Sequence, residues 1–172
     1  MPHRRVRLAA AAGPLVAAVS GGVFVDTGSR WFRELDLPRW YPPPQTFGIV
    51  WSALYAGMAW AGGEVLTRDP AGRPAFTRAY TVNLALNAAW TPLFFRAHRP
   101  WAAAAESALL TVSTVDLVRR AAPGSRGAAV ALAPYAAWTA FATVLSTAIA
   151  RRNRGGTVHL SVTRRAASSP GR

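Results

Sequence analysis

The sequence predicts an all-α, polytopic membrane protein built as a bundle of five transmembrane helices. Five stretches of the sequence are long and apolar, and only one of them, 100–118, contains charged residues, Glu106 and Asp116. A helix needs about 20 mostly apolar residues to cross the hydrocarbon core of a bilayer, and inside lipid its backbone groups must be satisfied within the helix. Five spans nearly fill the 172 residues, so the function is expected in or between the helices. The other four stretches are long and uncharged: 8–25, 40–63, 79–95 and 127–150.

The charge pattern supports a membrane location and argues against nucleic-acid binding. The formal charge is +13, and every basic residue is arginine. The arginines gather at the ends of the apolar runs, as expected of side chains that anchor helix ends near lipid phosphates. No basic stretch forms a nucleic-acid reading module. We therefore expect membrane lipid, and no nucleic acid, among the partners.

Several chemical classes lack the residues that they need. Without cysteine there is no disulfide framework, thiolate nucleophile or Cys-based metal site. No histidine pair has metal-ligand spacing, and no phosphate-binding glycine loop or Ser-His-acid arrangement falls within the bundle. We expect no metal site and no required cofactor, and a conventional enzyme is poorly supported. The lack of lysine beside much Ala and Arg indicates a GC-rich genome and hence a bacterial cell membrane.

The spans follow one another along a single domain, residues 1–153. The first span, 8–25, ends at a turn-forming cluster of Asp, Thr, Gly and Ser. Three arginines before it also fit a cleaved secretory signal, which is the alternative interpretation. A basic, aperiodic tail, 154–172, is expected to be disordered. The remaining helices are expected at 46–66, 75–95, 100–119 and 127–150.

The segment from Ser29 to Gln45 is too charged for lipid and is stiffened by prolines. It also carries four aromatic residues that are unusual in a surface loop. The segment is either a lid over the helix ends or an interfacial aromatic belt, and the sequence favours neither. The four aromatic residues are Trp31, Phe32, Trp40 and Tyr41.

Polar residues inside spans are costly and are therefore functional candidates. Glu106 and Asp116 lie on one helix about 80° apart, and Asp116 is placed to pair with Arg119 or Arg120. End-anchoring salt bridges and one interhelical hydrogen bond explain these two acids best. Asn83 and Asn87, one turn apart, either join helices or line a polar spot in a pocket.

Three tryptophans, Trp51, Trp90 and Trp138, sit inside spans beside small residues such as Ala and Gly. Flat rings next to small neighbours are compatible with a pocket for a large planar apolar ligand. Plain core packing explains the same pattern, and from these residues alone it is the better explanation.

Four motifs taken together resemble the TspO/MBR family over about residues 13–153. They occur in the order and spacing of that family, and any one of them alone is weak. They are Gly28-x-x-Trp31-Phe32-x-x-Leu35-x-x-Pro38-x-Trp40-x-Pro42-Pro43, Val50-Trp51-x-x-Leu54-Tyr55, Leu84-Ala85-Leu86-Asn87-x-x-Trp90-x-Pro92-Leu93-Phe94-Phe95, and Pro134-Tyr135-x-x-Trp138-x-x-Phe141-Ala142-Thr143-x-Leu145.

The resemblance implies a homodimeric five-helix bundle with a pocket under the first loop that binds porphyrin- or haem-type tetrapyrroles. It implies a sensor, scavenger or carrier, with two alternatives: a light-dependent porphyrin-degrading enzyme, or a transporter of small hydrophobic ligands. If degradation is real, Trp51 and Trp138 are the implied catalytic residues. The implied ligand-binding residues are Trp31, Phe32, Trp51, Asn83, Asn87, Trp90, Phe94, Trp138, Ala142 and Leu145.

The chain departs from the family pattern at three places. Phe32 stands where tyrosine is frequent, which removes a hydroxyl that a ligand would contact. Ser146 follows Leu145 where asparagine is frequent. The end of the last span lacks the tyrosine of the animal sterol pattern, which argues against sterol handling.

Overall fold

A computed structural model describes residues 2–154, with the backbone alone for Pro2, His3 and Ser20. The described chain is all-helical and contains no strand. A five-residue π turn, Pro92–Arg96, continues the fourth helix. The α-helices are α1 (Pro2–Phe24), α2 (Arg30–Arg33), α3 (Pro44–Arg68), α4 (Arg73–Thr91), α5 (Pro100–Gly124) and α6 (Arg126–Arg152).

The all-helical fold agrees with the sequence prediction, whereas the number of helices differs from five. Five of the six helices are long, and the sixth, α2, is a four-residue helix inside the predicted loop. In the described part of the chain, three helices are long and apolar enough to cross a membrane: Arg4–Phe24, α5 and α6. The predicted disordered tail, apart from Arg154 itself, lies outside the described residues.

The link between α5 and α6 is much shorter than the gap between the predicted helices, of which one ends at residue 119 and the next begins at residue 127. Helix α5 continues to Gly124, with Pro123 in its last turn, and only Ser125 separates it from α6. Ser125 is extended, with φ −163° and ψ 111°, and its hydroxyl accepts the Ala128 N–H at 3.2 Å. A serine cap therefore starts α6 immediately, and the two helices fold back against each other.

Small residues let α1 lie close against α3 and α4. A Cβ on Gly62 would lie 3.1 Å from the Tyr80 ring, and one on Gly63 would lie 3.0 Å from the Arg7 side chain. The Tyr80 hydroxyl is within hydrogen-bond distance of the carbonyls of Ala10 at 3.2 Å and Met58 at 3.0 Å. One buried phenol thus joins three helices where small residues allow close packing.

A buried polar network joins α3, α4, α5 and α6. The Tyr55 hydroxyl donates to Asn87 Oδ1 at 2.8 Å, and Asn87 Nδ2 donates to the Tyr135 hydroxyl at 3.3 Å. Tyr135 donates to Asn83 Oδ1 at 3.0 Å, and Asn83 Nδ2 donates to Thr114 Oγ1 at 3.0 Å. Each amide both donates and accepts, so the network orients the four helices relative to one another.

We predict that Asn83→Leu lowers the free energy of unfolding by about 1–3 kcal/mol, because buried partners on α5 and α6 lose their hydrogen bonds. Val82→Leu is the matched control, since Val82 is on the same helix and is 55% exposed. Thermal unfolding of both variants in detergent measures the difference. Equal midpoints for the two variants would contradict a joining role for Asn83.

Candidate functional site

The loop between α1 and α3 is fastened to the end of α6. The Asp36 N–H donates to Asn153 Oδ1 at 3.0 Å, and Asn153 Nδ2 donates back to the Asp36 carbonyl at 3.2 Å. Arg152 Nη1 lies 3.1 Å from both carboxylate oxygens of Asp36. Asn153 directly follows α6, so these bonds hold the loop against the end of the bundle. We call this contact, formed by Asp36, Arg152 and Asn153, the latch.

An aromatic cluster lies beneath this loop. Trp31 on α2 meets Phe94 edge-on with 5.3 Å between ring centroids, and Trp90 stacks on Phe94 with 5.1 Å between centroids. All ring distances below are between centroids. Phe32 contacts Phe94 at 6.5 Å and Tyr41 at 6.3 Å. Phe94 is 1% exposed, so the rings around it exclude solvent. Five predicted ligand-binding residues belong to this cluster: Trp31, Phe32, Trp90, Phe94 and Leu145.

The π turn at the end of α4 places two of these rings. The Ala97 N–H donates to the Pro92 carbonyl at 2.9 Å, the wider bonding pattern of a π turn. This turn buries both Phe94 and Phe95 on the loop side. His98 then follows with a positive φ of 51° and stacks on Trp31 at 4.3 Å. The sequence predicted an ordinary helix to residue 95 and gave no sign of this irregular ending.

Trp138 on α6 connects the cluster to the core of the bundle. Its ring contacts Phe47 at 5.8 Å and Phe141 at 5.2 Å, and Phe47 contacts Tyr41 of the loop at 5.5 Å. Burial raises the pKa of Tyr41, so its phenol stays neutral over a wider pH range. Ala142, also on α6, is partly buried.

Trp51 lies deeper, beside the polar network. Its ring stacks on Tyr55 at 5.2 Å and meets Tyr135 at 6.0 Å. Asn83 and Asn87 are both buried and bonded to side chains of other helices. Most predicted site residues are therefore divided between an aromatic cluster under the loop and a tyrosine–asparagine network below it. Trp138 contacts rings of the cluster and also packs against the hydrophobic core that contains Tyr135.

The acidic residues inside helices have different partners. Asp116 pairs with Arg120 at 2.6 Å, one of the two pairings that the sequence allowed. Glu64, which the sequence analysis missed, pairs with Arg7 at 3.1 Å and Arg68 at 2.7 Å at the opposite end of α3. The interhelical hydrogen bond expected of Glu106 is not found among the described residues.

A surface groove of about 420 Å³ lies between α1 and α3. Its lining is mostly small and apolar, and none of the ten predicted ligand-binding residues contributes to it. The groove is therefore separate from the aromatic cluster. It is lined by Ala11, Pro14, Leu15, Ala18, Ser52, Tyr55, Ala56 and Ala59.

Sequence reasoning missed several residues that the structure places at this site. Tyr55 and Tyr135 carry the network, and their position inside apolar spans was the signal that would have identified them. Asp36, Arg152 and Asn153 form the latch, and no local pattern connects residues so far apart in sequence.

The chain is similar to known proteins along most of its length. Residues 10–152 match the TspO/MBR family. The Translocator protein of Homo sapiens is 34% identical over 150 residues, which cover 83% of this chain and 86% of that protein. The Tryptophan-rich protein TspO of Bacillus cereus is 28% identical over 116 residues, 67% of this chain and 76% of that protein. The Uncharacterized membrane protein YtaB of Bacillus subtilis is 29% identical over 135 residues, 78% and 87% respectively. This chain therefore belongs to the TspO/MBR family of membrane proteins.

Proposed function

We propose that this protein binds a planar tetrapyrrole, a porphyrin or haem, between the loop and the helix ends, and acts as a sensor, scavenger or carrier. The observation that carries the proposal is the aromatic cluster, in which rings from α2, the π turn and the loop meet over a buried phenylalanine. Flat aromatic faces suit a flat aromatic ligand. Membership of the family supports the same ligand class.

The cluster is packed closed, so entry of a ring as large as a porphyrin requires the loop to move. The latch is the contact that such a movement would break, because it is the loop's hydrogen-bonded connection to α6. Asp36, Arg152 and Asn153 are at the surface, where water readily replaces one partner of a hydrogen bond. A loop that opens and recloses over the ligand fits this arrangement, and it favours the lid over the interfacial belt.

A light-dependent porphyrin-degrading enzyme is the second candidate. The observation that favours it is the position of Trp51, stacked on Tyr55 and in contact with Tyr135. Indole and phenol rings are the side chains that give up an electron most readily without a metal. Transport of small hydrophobic ligands is the third candidate, and no contact in the described residues favours it specifically.

We also propose that all five long helices cross the membrane. Helices α3 and α4 pack against α1, α5 and α6 through the polar network and Tyr80. Such contacts place their polar residues toward the bundle interior, where lipid does not reach. With five crossings, the link 69–72 between α3 and α4 lies at the membrane face opposite to the loop between α1 and α3, whereas crossings by α1, α5 and α6 alone leave both on one face. Labelling of a single cysteine introduced at each position, in sealed vesicles, would test this.

The protein is further proposed to form a homodimer through α4. Ala85 is exposed, and small residues allow the close backbone approach that stabilises helix pairs in lipid. We predict that Ala85→Leu reduces crosslinked dimer in membranes by at least about half. Ala105→Leu on α5, also exposed, is the matched control. Undiminished crosslinking of the Ala85 variant would remove this face from the interface.

Titration with protoporphyrin IX in the dark, followed by illumination, tests the ligand and the chemistry together. We predict that Trp51→Phe and Trp138→Phe weaken binding by up to about tenfold, the value of one good aromatic contact. If the enzyme interpretation is right, they also slow the loss of porphyrin absorbance in light. Trp60→Phe is the control, since Trp60 is on α3 but 51% exposed.

Three outcomes of that titration separate the candidates. A parent protein that binds no porphyrin contradicts the proposed function. Binding without any loss of porphyrin in light supports the sensor, scavenger or carrier. Light-dependent loss that is equal in the parent and in both tryptophan variants excludes Trp51 and Trp138 as the catalytic residues.

Opening of the latch should control how long the ligand stays bound. Asn153→Ala removes two hydrogen bonds to the Asp36 backbone without a change of charge. We predict a porphyrin off-rate raised at least about fivefold, because two bonds of about 0.5–1.5 kcal/mol each together contribute about 1 kcal/mol or more. Stopped-flow displacement measures it, with the exposed neighbour Arg151→Ala as control. An unchanged off-rate would make the loop a membrane-surface anchor and not a lid.

A further inference from the structure

Glu106 is a buried carboxyl without a hydrogen-bond partner. It lies on the inner face of α5 and is 6% exposed. Both of its carboxyl oxygens are inaccessible, and within residues 2–154 neither of them accepts a hydrogen bond. A carboxyl that is buried in this way costs considerable free energy unless a partner or a proton satisfies it.

The other acidic side chains of the chain do not share this situation. Each of them pairs with an arginine, accepts a backbone N–H or is exposed. Glu106 is therefore the one acidic residue of the described chain that is both buried and unpaired. Because the fold pairs or exposes the other six, the unpaired state of Glu106 needs its own explanation. The six other residues are Asp26, Glu34, Asp36, Glu64, Asp69 and Asp116.

The register of α4 against α5 places a second unsatisfied group opposite Glu106. Asn83 donates to Ser113 at 3.3 Å, which fixes the register of α4 against α5. Trp90 is seven residues after Asn83, and Glu106 is seven residues before Ser113. Seven residues are close to two helical turns, and the two helices are antiparallel. Trp90 and Glu106 are therefore opposite each other in the same way as Asn83 and Ser113, about 10 Å further along the helix axes.

The indole N–H of Trp90 is also buried, and it too lacks a partner in the described chain. The site thus presents a donor on α4 and an acceptor on α5, next to the aromatic cluster. Trp90 stacks on Phe94, so the surface beside its indole N–H is flat and apolar. A molecule that satisfies both groups needs a donor beside an acceptor on the edge of an apolar body.

We propose that Glu106 and Trp90 recognise a carboxylic acid or carboxamide edge of the bound planar ligand. A ligand carboxyl would share one proton with the Glu106 carboxyl, since two adjacent carboxylates cannot both be charged at low cost. Its second oxygen would accept the Trp90 N–H. A carboxamide would donate its N–H to Glu106 and accept from Trp90 through its carbonyl. The inference rests on the proposed function and adds the polar chemistry of its ligand.

Three forms of one porphyrin separate these chemistries: protoporphyrin IX, its diamide and its dimethyl ester. The ester keeps the acceptor but has no donor. We expect the parent protein to bind the acid and the diamide about tenfold more tightly than the ester, the effect of leaving a buried carboxyl without its donor. Fluorescence titration in nanodiscs at one pH gives the three affinities.

Glu106→Leu should reduce the preference for the acid over the ester to about twofold or less, while ester binding stays within about twofold of the parent. Comparing this ratio between variants cancels differences in how the porphyrins partition into lipid. Asp116→Asn on the same helix is the control and should keep the parent ratio. Trp90→Phe, which retains a ring against Phe94, should lose part of the preference.

The outcomes distinguish this inference from the function on which it rests. Parent protein that binds all three porphyrins equally overturns the inference and leaves the proposed function intact. A Glu106→Leu ratio equal to that of the parent overturns it as well. If that variant does not fold, Glu106→Gln replaces it and should weaken the acid more than the diamide. Parent protein that binds none of the three porphyrins overturns the proposed function and the inference together.

Discussion

The structure depends on one constraint: polar side chains inside the bundle must find their partners on other helices. Asn83 and Asn87 meet it through Tyr55 and Tyr135, and their bonds connect four helices. In lipid, apolar surface alone does not drive helices together, so such bonds and close packing set their arrangement.

The two ends of the bundle serve different purposes. At one end, Glu64 is held between Arg7 and Arg68, a charged contact that ties α1 to α3. At the other, the loop is held by the Asp36–Asn153 latch over aromatic rings. The first end pairs a buried carboxylate with two arginines, whereas the second combines exposed hydrogen bonds with a buried apolar cluster. This asymmetry agrees with the proposed binding site at the loop end.

Between these ends, Trp138 contacts rings of the aromatic cluster and also packs against the hydrophobic core that contains Tyr135 of the polar network. A ligand in the cluster would therefore lie close to residues that also orient the helices. Binding and helix arrangement are expected to influence each other, which suits a sensor as well as a carrier. The orphaned Glu106 lies on the helix that also contributes Thr114 to the network, so a partner for it would act on the same helices.

The sequence by itself determined the helical class, the approximate spans, the aromatic loop and the family, because hydrophobic runs, prolines and motif spacing are local properties. It also limited the partner of Asp116 to two arginines one turn away. Only the tertiary structure decided that the asparagines bond across helices, that α4 ends in a π turn and that Asp36 meets Asn153. These depend on the register between helices, and residues far apart in sequence set that register jointly.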